Sequence, residues 1–443
     1  MKSILVLGAG RSSSSLIAYL LRHAPHHDWK VIVGDADLET ARKKTGDHPF
    51  GSAISFDILG PESADHIQGS DLVISLLPPP LHPLVAEKCL QFNKHLLTAS
   101  YVSEQMTRLA EQARSKGLIF LNECGLDPGI DHMSAMQIID RIRDSGGRIT
   151  SFESFTGGLI APDTNPENPW RYKFTWNPKN VVMAGQGTAK YLQGGKYKYV
   201  PYQQLFKRTT PIHVQGLGDY EGYANRDSLK YITTYKLDGI ETMIRGTLRN
   251  KGFCGAWNVF VQLGCCDDSY EMEGTASLTH AGFLDSFLPE LPGKNIRQKL
   301  GSDKNLTLSG YELDYLQWSG FFDAEPVGLR SGTPARILEH ILNKKWKLNP
   351  ADKDQIVMWH RFEYQTGGAK KSVQATLVAT GVDSTYTAMA ETVGLPLAIA
   401  AKLILQGRIG VKGVVIPTLP EIYEPVLAEL KTLGIVMKET EGV

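Results

Sequence analysis

The chain has 443 residues, of which 42% are hydrophobic and 21% charged, so a soluble globular protein of two or three domains is expected. Basic and acidic residues both total 47, so no net field favours nucleic acid or a membrane as partner. The five cysteines form no C-x-x-C pair, and neither a disulfide framework nor a metal site is predicted. The N-terminal apolar run is too short for a signal peptide, and no later run approaches the roughly 18 residues of a membrane span, so a cytoplasmic location is expected.

The first 121 residues alternate between short apolar runs and helical stretches. A continuous apolar run ended by glycine is typical of a strand buried on both faces of a parallel sheet. Six such strands are predicted, at 4–7, 31–33, 53–56, 72–76, 96–98 and 118–121. Their alternation with helices predicts an α/β fold with a Rossmann-like doubly wound parallel sheet, whose first helix should end at Pro25.

The alternation of short apolar runs with helical stretches ends at about residue 130. A helix over 131–143 is followed to about residue 250 by a stretch rich in Tyr, Thr and β-branched residues, which predicts a mixed sheet domain. Residues 255–345 are mostly helical in pattern, and 357–364 and 372–380 predict two further strands. A long helical pattern over 385–406 is interrupted at Pro396.

A glycine turn links the first strand to the first helix and predicts a dinucleotide site. Gly8 permits the tight turn, and Gly10 lets backbone N–H groups approach a pyrophosphate at the helix N-terminus. Arg11 and Ser12 follow, and Ser13 replaces the third glycine of the usual motif, where a small residue suffices for helix–strand packing. The alternative is a plain strand-to-helix turn.

The preferred cofactor follows from Asp35, about 25 residues beyond the glycines at the end of the second strand. A carboxylate there can accept hydrogen bonds from the adenosine ribose, whereas a 2′-phosphate would meet Asp35 and Asp37 with no arginine alongside. NAD is therefore predicted over NADP, which stays possible. Asp57, Leu77 and Ser100 complete the predicted cofactor site.

Two turns beyond the fifth and sixth strands, 98–103 and 122–132, should face the nicotinamide, because ligands of open α/β sheets bind outside the carboxyl ends of strands. These turns also carry a family resemblance. The chain resembles saccharopine reductase, the glutamate-forming saccharopine dehydrogenase of lysine metabolism. The stretches that match are 98–102, 122–132, 157–158, 168–169, 172–174, 223–228, 244–249, 388–390 and 393–394.

The resemblance implies a three-domain architecture and a reaction. The implied Rossmann domain is 1–130 completed by 385–443, a mixed α/β substrate and dimerisation domain is 131–254 with 346–384, and a helical lid is 255–345. It also implies a homodimer acting on a small amino-acid substrate. The family reversibly joins L-glutamate and 2-aminoadipate 6-semialdehyde, and hydride reduces their imine to saccharopine.

The resemblance further implies which residues form the site. Arg226 and Arg249 match positions that hold substrate carboxylates, with Thr247 and Leu248 between them. Ser100, Tyr101 and Asp127 match residues near the substrate and the nicotinamide. Tyr101 and Asp127 are the leading candidates for proton transfer, and His132 and Lys173 are secondary ones.

Two positions depart from the family pattern. Thr156 stands where members carry a cysteine, so a thiol role is not carried over. Asp35-Ala36-Asp37 stands where members present an arginine, which is why NAD is preferred. Two other functions stay open: a related amine-forming dehydrogenase such as a carboxynorspermidine dehydrogenase, and a nucleotide-binding sensor without turnover.

Overall fold

The computed structural model describes residues 1–442, so the last residue of the predicted 385–443 segment lies outside the described part. The strands are β1 (Lys2–Leu7), β2 (Trp29–Asp35), β3 (Gly51–Ser55), β4 (Leu72–Ser75), β5 (His95–Thr98), β6 (Ile119–Leu121), β7 (Arg148–Ile160), β8 (Ala189–Gln193), β9 (Lys196–Val200), β10 (Thr210–Val214), β11 (Gly218–Ala224), β12 (Thr242–Asn250), β13 (Asp354–Thr366), β14 (Ala369–Thr380), β15 (Gly413–Val415) and β16 (Met437–Gly442). The α-helices are α1 (Ser14–His27), α2 (Leu38–Thr45), α3 (Ser63–Gln68), α4 (His82–Phe92), α5 (Glu104–Arg108), α6 (Ala110–Ser115), α7 (Ile130–Asp144), α8 (Pro178–Val182), α9 (Tyr202–Leu205), α10 (Lys230–Thr234), α11 (Phe253–Leu263), α12 (His280–Asp285), α13 (Ile296–Ser302), α14 (Tyr311–Trp318), α15 (Pro334–Trp346), α16 (Ala388–Leu405) and α17 (Pro420–Thr432).

The chain folds into two compact units, each with its own sheet. The first contains residues 1–148 and 377–438 with 366–369, and the second contains 149–365 and 370–376 with a stretch that begins at Glu439. This division differs from the predicted one in two places. Helix α7 belongs to the first unit, and the helices predicted as a lid lie inside the second, where the rings of Trp170, Trp257 and Trp346 share one core. The three-domain division stays a prediction.

The first unit contains the predicted Rossmann-like sheet. All six predicted strands are present, with ends within two residues of the predicted ones. The described strands run in the order β15-β6-β5-β4-β1-β2-β3, and every pairing in the sheet is parallel. Apart from β15, this is the order of dinucleotide-binding folds, in which the chain reverses direction across the sheet beside β1. The carboxyl ends of β1 and β4 therefore flank the crevice where a nucleotide is expected.

The C-terminal segment adds a strand and two helices to this unit. Val414 pairs with Phe120, so β15 extends the sheet beyond β6. Helix α16 packs against α1, and a Cβ atom on Gly394 would lie 2.9 Å from the Leu16 nitrogen, so a larger residue would push the two helices apart.

Prolines lie inside three of the described helices, at Pro25 in α1, Pro396 in α16 and Pro425 in α17. The expectation that Pro25 and Pro396 interrupt their helices was wrong, because α1 and α16 both run through their prolines. An interior proline costs about 3 kcal/mol in an isolated helix. Packing on neighbouring elements offsets that cost here, since both helices contribute many residues to the core of the first unit.

Helix α16 also corrects the statement that no apolar stretch approaches a membrane span. It has 18 residues and a mean hydropathy of 1.6, which is long and apolar enough to cross a bilayer by length and composition. Two-thirds of it is buried against α1, α17, β4 and β5. A helix that packs on several sides within a protein core is apolar all round for that reason.

The second unit contains the mixed sheet expected for the substrate domain. Strand β12 pairs in parallel with β7 and antiparallel with β11, so the sheet is mixed at its centre. Because side chains alternate along a strand, the two faces of β12 have different environments. Ile244 and Leu248 lie in a cluster with Phe155 on one face, whereas Tyr223 of β11 lies in the aromatic core with Phe253.

Candidate cofactor and substrate sites

The glycine turn has the geometry of a pyrophosphate site. Gly8 has a φ of +99°, and a Cβ there would lie 3.0 Å from the Leu76 carbonyl oxygen, so only glycine fits without a shift. Gly10 is exposed and has no atom within 4 Å of a would-be Cβ, which leaves its backbone open to a ligand. The Ser13 hydroxyl, at the end of the turn, donates to the Gly10 carbonyl at 2.8 Å and fixes the entry to α1.

Asp35 is tied to this turn. Its Oδ2 accepts a 2.7 Å hydrogen bond from the Ala9 N–H, and its Oδ1 accepts from the Asp37 N–H at 3.0 Å. Each carboxylate oxygen keeps a second lone pair, so Asp35 can still accept from a ribose hydroxyl. Asp37 caps α2 through the Glu39 N–H, which adds a second acidic side chain at this end of β2.

The remaining predicted cofactor residues also lie near carboxyl ends of strands. Arg11 is exposed and Ser12 half-buried in the short turn before α1. Asp57 is exposed two residues after β3, Leu77 is half-buried two residues after β4, and Ser100 is half-buried two residues after β5. Parallel strands present these ends at one edge of the sheet, so the predicted residues share that edge.

A histidine that was not among the predicted site residues connects several side chains at this edge. His82 is 3% exposed, its Nδ1 lies 2.9 Å from the Ser75 Oγ, and its Nε2 lies 2.8 Å from the Ser100 Oγ and 3.2 Å from the Thr98 Oγ1. Burial lowers the pKa of His82 to about 4, so the imidazole is neutral near pH 7. The sequence feature that could have identified His82 is its position in the first turn of a helix, soon after a buried strand.

Tyr101 and Asp127 lie together in the first unit, as expected for residues near one reacting group. The Tyr101 hydroxyl donates to the Asp127 Oδ1 at 3.3 Å, and both side chains are half-buried. Asp127 precedes a cis peptide bond to Pro128. Gly129, with a φ of +149°, closes the turn against Gly125, whose carbonyl oxygen would lie 2.0 Å from any Cβ added to Gly129.

Arg249 in the second unit is a buried cation. It is 5% exposed, and its guanidinium carbon lies 5.0 Å from the ring centre of Tyr172 and 5.2 Å from that of Phe253. Its Nη1 donates to the Leu248 carbonyl at 3.2 Å, and among the described residues its Nε has no hydrogen-bond partner. A buried charge is normally paired, so this guanidinium has capacity for an anion.

The neighbours of Arg249 form a polar row across the sheet. Thr247 pairs with Tyr223 on one side and with Thr156 on the other, and the Thr156 hydroxyl has no hydrogen-bond partner within residues 1–442. Burial raises the pKa of Tyr223, and the nearby positive charge of Arg249 opposes that rise. The Leu248 side chain is fully buried in the cluster on the other face, so only its main chain can contribute to this row.

Arg226 and Lys173 lie in different surroundings. Arg226 is exposed with a φ of +50°, two residues beyond the Ala224–Gly246 pair that ends the ladder, whereas Arg249 pairs with Glu221. Arg226 therefore lies five residues along the chain from Glu221, the strand partner of Arg249. Lys173 is buried and donates to the Asp352 Oδ2 at 2.6 Å, which favours a structural role.

Comparison with known protein families gives two matches that together cover most of the chain. The sequence profile described as the saccharopine dehydrogenase NADP binding domain matches residues 4–121, and that described as the saccharopine dehydrogenase C-terminal domain matches residues 125–435.

Individual relatives agree with these profiles. Saccharopine dehydrogenase [NADP(+), L-glutamate-forming] of Schizosaccharomyces pombe is 32% identical, over 99% of both chains. Mitochondrial alpha-aminoadipic semialdehyde synthase of Bos taurus is 35% identical over 98% of this chain, which spans about half (47%) of that relative's length. The structure of apo saccharopine dehydrogenase (L-Glu forming) of Saccharomyces cerevisiae superposes with a TM-score of 0.90, 30% identity and complete coverage of both chains.

Proposed function

The chain belongs to the saccharopine dehydrogenase family, and from this premise we propose that it interconverts saccharopine with L-glutamate and 2-aminoadipate 6-semialdehyde. In the oxidative direction, saccharopine, water and the oxidised dinucleotide give the two amino acids, the reduced dinucleotide and a proton. The relatives whose printed names describe this reaction match along their full length.

The buried guanidinium of Arg249 is the observation that carries this proposal. Saccharopine is multiply anionic, and a planar guanidinium binds a carboxylate through two parallel hydrogen bonds. Thr247 and Thr156 add hydroxyls beside it, and the exposed Arg226 can hold a second, distant carboxylate. A diamine substrate, as in a carboxynorspermidine dehydrogenase, would instead call for acidic residues in this row.

Proton handling falls to the pair in the first unit. Asp127 can pair with a positively charged substrate nitrogen, and the Tyr101 hydroxyl, 3.3 Å from its Oδ1, can pass a proton to or from that carboxylate. Imine hydrolysis requires such transfers, whereas a bound nicotinamide supplies the hydride chemistry itself. The glycine turn, with an open Gly10 and a closely packed Gly8, fits the pyrophosphate of that dinucleotide.

The cofactor preference is proposed as NAD. Several relatives are named for NADP(+), but here Asp35 and Asp37 both present carboxylates at the end of β2. Changing Asp35 to Asn removes the charge and should move the NAD-to-NADP ratio of kcat/KM towards NADP by about tenfold or more, since like charges at a binding site cost at least about 1.4 kcal/mol. The exposed Asp47, which precedes β3 at its amino end, provides the control Asp47→Asn. An unchanged ratio in Asp35→Asn would refute this role.

The proposed activity is tested by steady-state formation of reduced nicotinamide with saccharopine, with NAD and NADP compared as acceptors. Turnover with carboxynorspermidine instead would favour the related dehydrogenase, and tight nucleotide binding without turnover of either compound would favour a sensor. The homodimer and the cytoplasmic location stay predictions.

A further inference from the structure

Glu123 is a buried acidic residue in the loop that carries Asp127, and it contacts the loop that carries Tyr101. It is 4% exposed and lies in the loop after β6, with a left-handed φ of +53°. We propose, on the basis of the proposed function, that Glu123 is a positioning residue that holds the Tyr101 hydroxyl against the Asp127 carboxylate.

The contacts of Glu123 flank Tyr101 on both sides. The Glu123 N–H donates to the Ser100 carbonyl at 3.0 Å, and the Val102 N–H donates to the Glu123 Oε1 at 3.0 Å. One residue thus fixes the main chain immediately before and after Tyr101. Because Glu123 and Asp127 belong to the same loop, it also fixes the position of one loop relative to the other.

The second carboxylate oxygen anchors this arrangement to a helix. The Glu123 Oε2 lies 2.8 Å from the Nε2 of His132, which is fully buried in the first turn of α7. A left-handed φ outside glycine costs about 1–2 kcal/mol, so these contacts have to hold the loop in a conformation it would otherwise leave. His132 therefore contributes through Glu123, which accounts for its burial without a role in proton transfer.

The Tyr101–Asp127 contact tolerates little displacement. At 3.3 Å it is already longer than the 2.5–3.0 Å typical of an O–H···O hydrogen bond. A displacement of about half an ångström that separates the two loops would break it, and misplacement of about 1 Å in a catalytic group can cost roughly 100-fold in rate. Loss of the Glu123 carboxylate should therefore appear in kcat.

The experiment compares Glu123→Ala, Tyr101→Phe and the double variant in the full-length protein with saccharopine. We expect Glu123→Ala to lower kcat by about 10- to 100-fold while the KM for saccharopine and the Kd of the dinucleotide stay within about threefold of wild type. In the double variant, Tyr101→Phe should add almost no further loss, because the contact that it removes is already broken. Glu123→Gln, which can still accept from the Val102 N–H, should recover most of kcat.

The matched control is Glu312→Ala in the second unit. Glu312 is 3% exposed and accepts N–H hydrogen bonds from Ser309 at 2.9 Å and Gly310 at 3.0 Å, so it is a buried, main-chain-binding glutamate outside the proposed sites. It should lower the unfolding temperature and leave kcat unchanged. Equal kcat losses in the two alanine variants, or independent effects of Glu123→Ala and Tyr101→Phe, would overturn the proposal.

A crystal structure of Glu123→Ala separates this inference from the proposed function. The distance between the Tyr101 hydroxyl and the Asp127 Oδ1 should lengthen well beyond its present value, whether or not saccharopine is the substrate. An unchanged distance would refute the positioning role. Absence of saccharopine turnover in the wild type would refute only the proposed function.

Discussion

Replacing Arg249 by methionine should separate substrate binding from stability. The guanidinium is 5% exposed, and no ion pair with Arg249 is present among the described residues. Desolvating an ion costs several kcal/mol. The contacts with the rings of Tyr172 and Phe253 stabilise the guanidinium by about 1 kcal/mol each, and the hydrogen bond to the Leu248 carbonyl stabilises it by about 2 kcal/mol. Methionine fills similar space without the charge, so the free energy of unfolding should stay equal or rise by up to about 2 kcal/mol.

Substrate binding should change in the opposite direction. Removing one partner of a buried charge pair costs about 3–4 kcal/mol, which corresponds to a rise of about 100- to 1,000-fold in the KM for saccharopine. Urea unfolding without substrate measures the first effect, and steady-state kinetics measure the second. Saturating saccharopine should raise the unfolding temperature of the wild type but not of Arg249→Met.

Lys299→Met is the control for this experiment. Lys299 is also a buried cation of the second unit, but it is paired with Asp285 at 2.8 Å. Its replacement removes this ion pair and the one with Glu290 at 3.6 Å, so stability should fall while the KM stays unchanged. If Arg249→Met instead lost more than about 2 kcal/mol of stability and kept its KM, the guanidinium would be structural and our account of its surroundings would be refuted.

Two further predictions concern the first unit. Burial lowers the pKa of His82 from its usual 6.5 to about 4, so the unfolded chain binds a proton that the folded chain does not; stability is complete above pH 6.5 and falls towards pH 4. When the pH falls from 7.5 to 4.5, the free energy of unfolding measured in urea should decrease by about 2–3 kcal/mol more for the wild type than for His82→Gln. Equal decreases in the two proteins would contradict this prediction. Gly129→Ala should cost about 4 kcal/mol or more and abolish turnover, because its Cβ would lie 2.0 Å from the Gly125 oxygen. The control Gly117→Ala, also at positive φ but with open space, should cost only about 1–2 kcal/mol, as measured by thermal unfolding.

Local sequence patterns were sufficient to predict the first unit's sheet and the turn proposed to bind the nucleotide. Strands such as β1 and β4 are continuous apolar runs, and the glycine turn follows β1 directly, so local pattern and final structure coincide. The motif around Asp127 likewise placed two loops at neighbouring strand ends, and Tyr101 and Asp127 do meet. Such features are readable because they depend on residues close together in the chain.

Features that join distant residues depend on tertiary contacts and could not be predicted from local sequence patterns. Strand β15 completes the sheet through pairing with β6, some 290 residues earlier, and α16 continues through Pro396 because its surroundings hold it. The roles of His82 and Glu123 depend on hydrogen-bond partners supplied by other loops. The burial of the Arg249 guanidinium depends on aromatic rings from separate segments and on the face of β12 that it occupies. Burial sets the energy of a polar group, and burial is a property of the assembled fold.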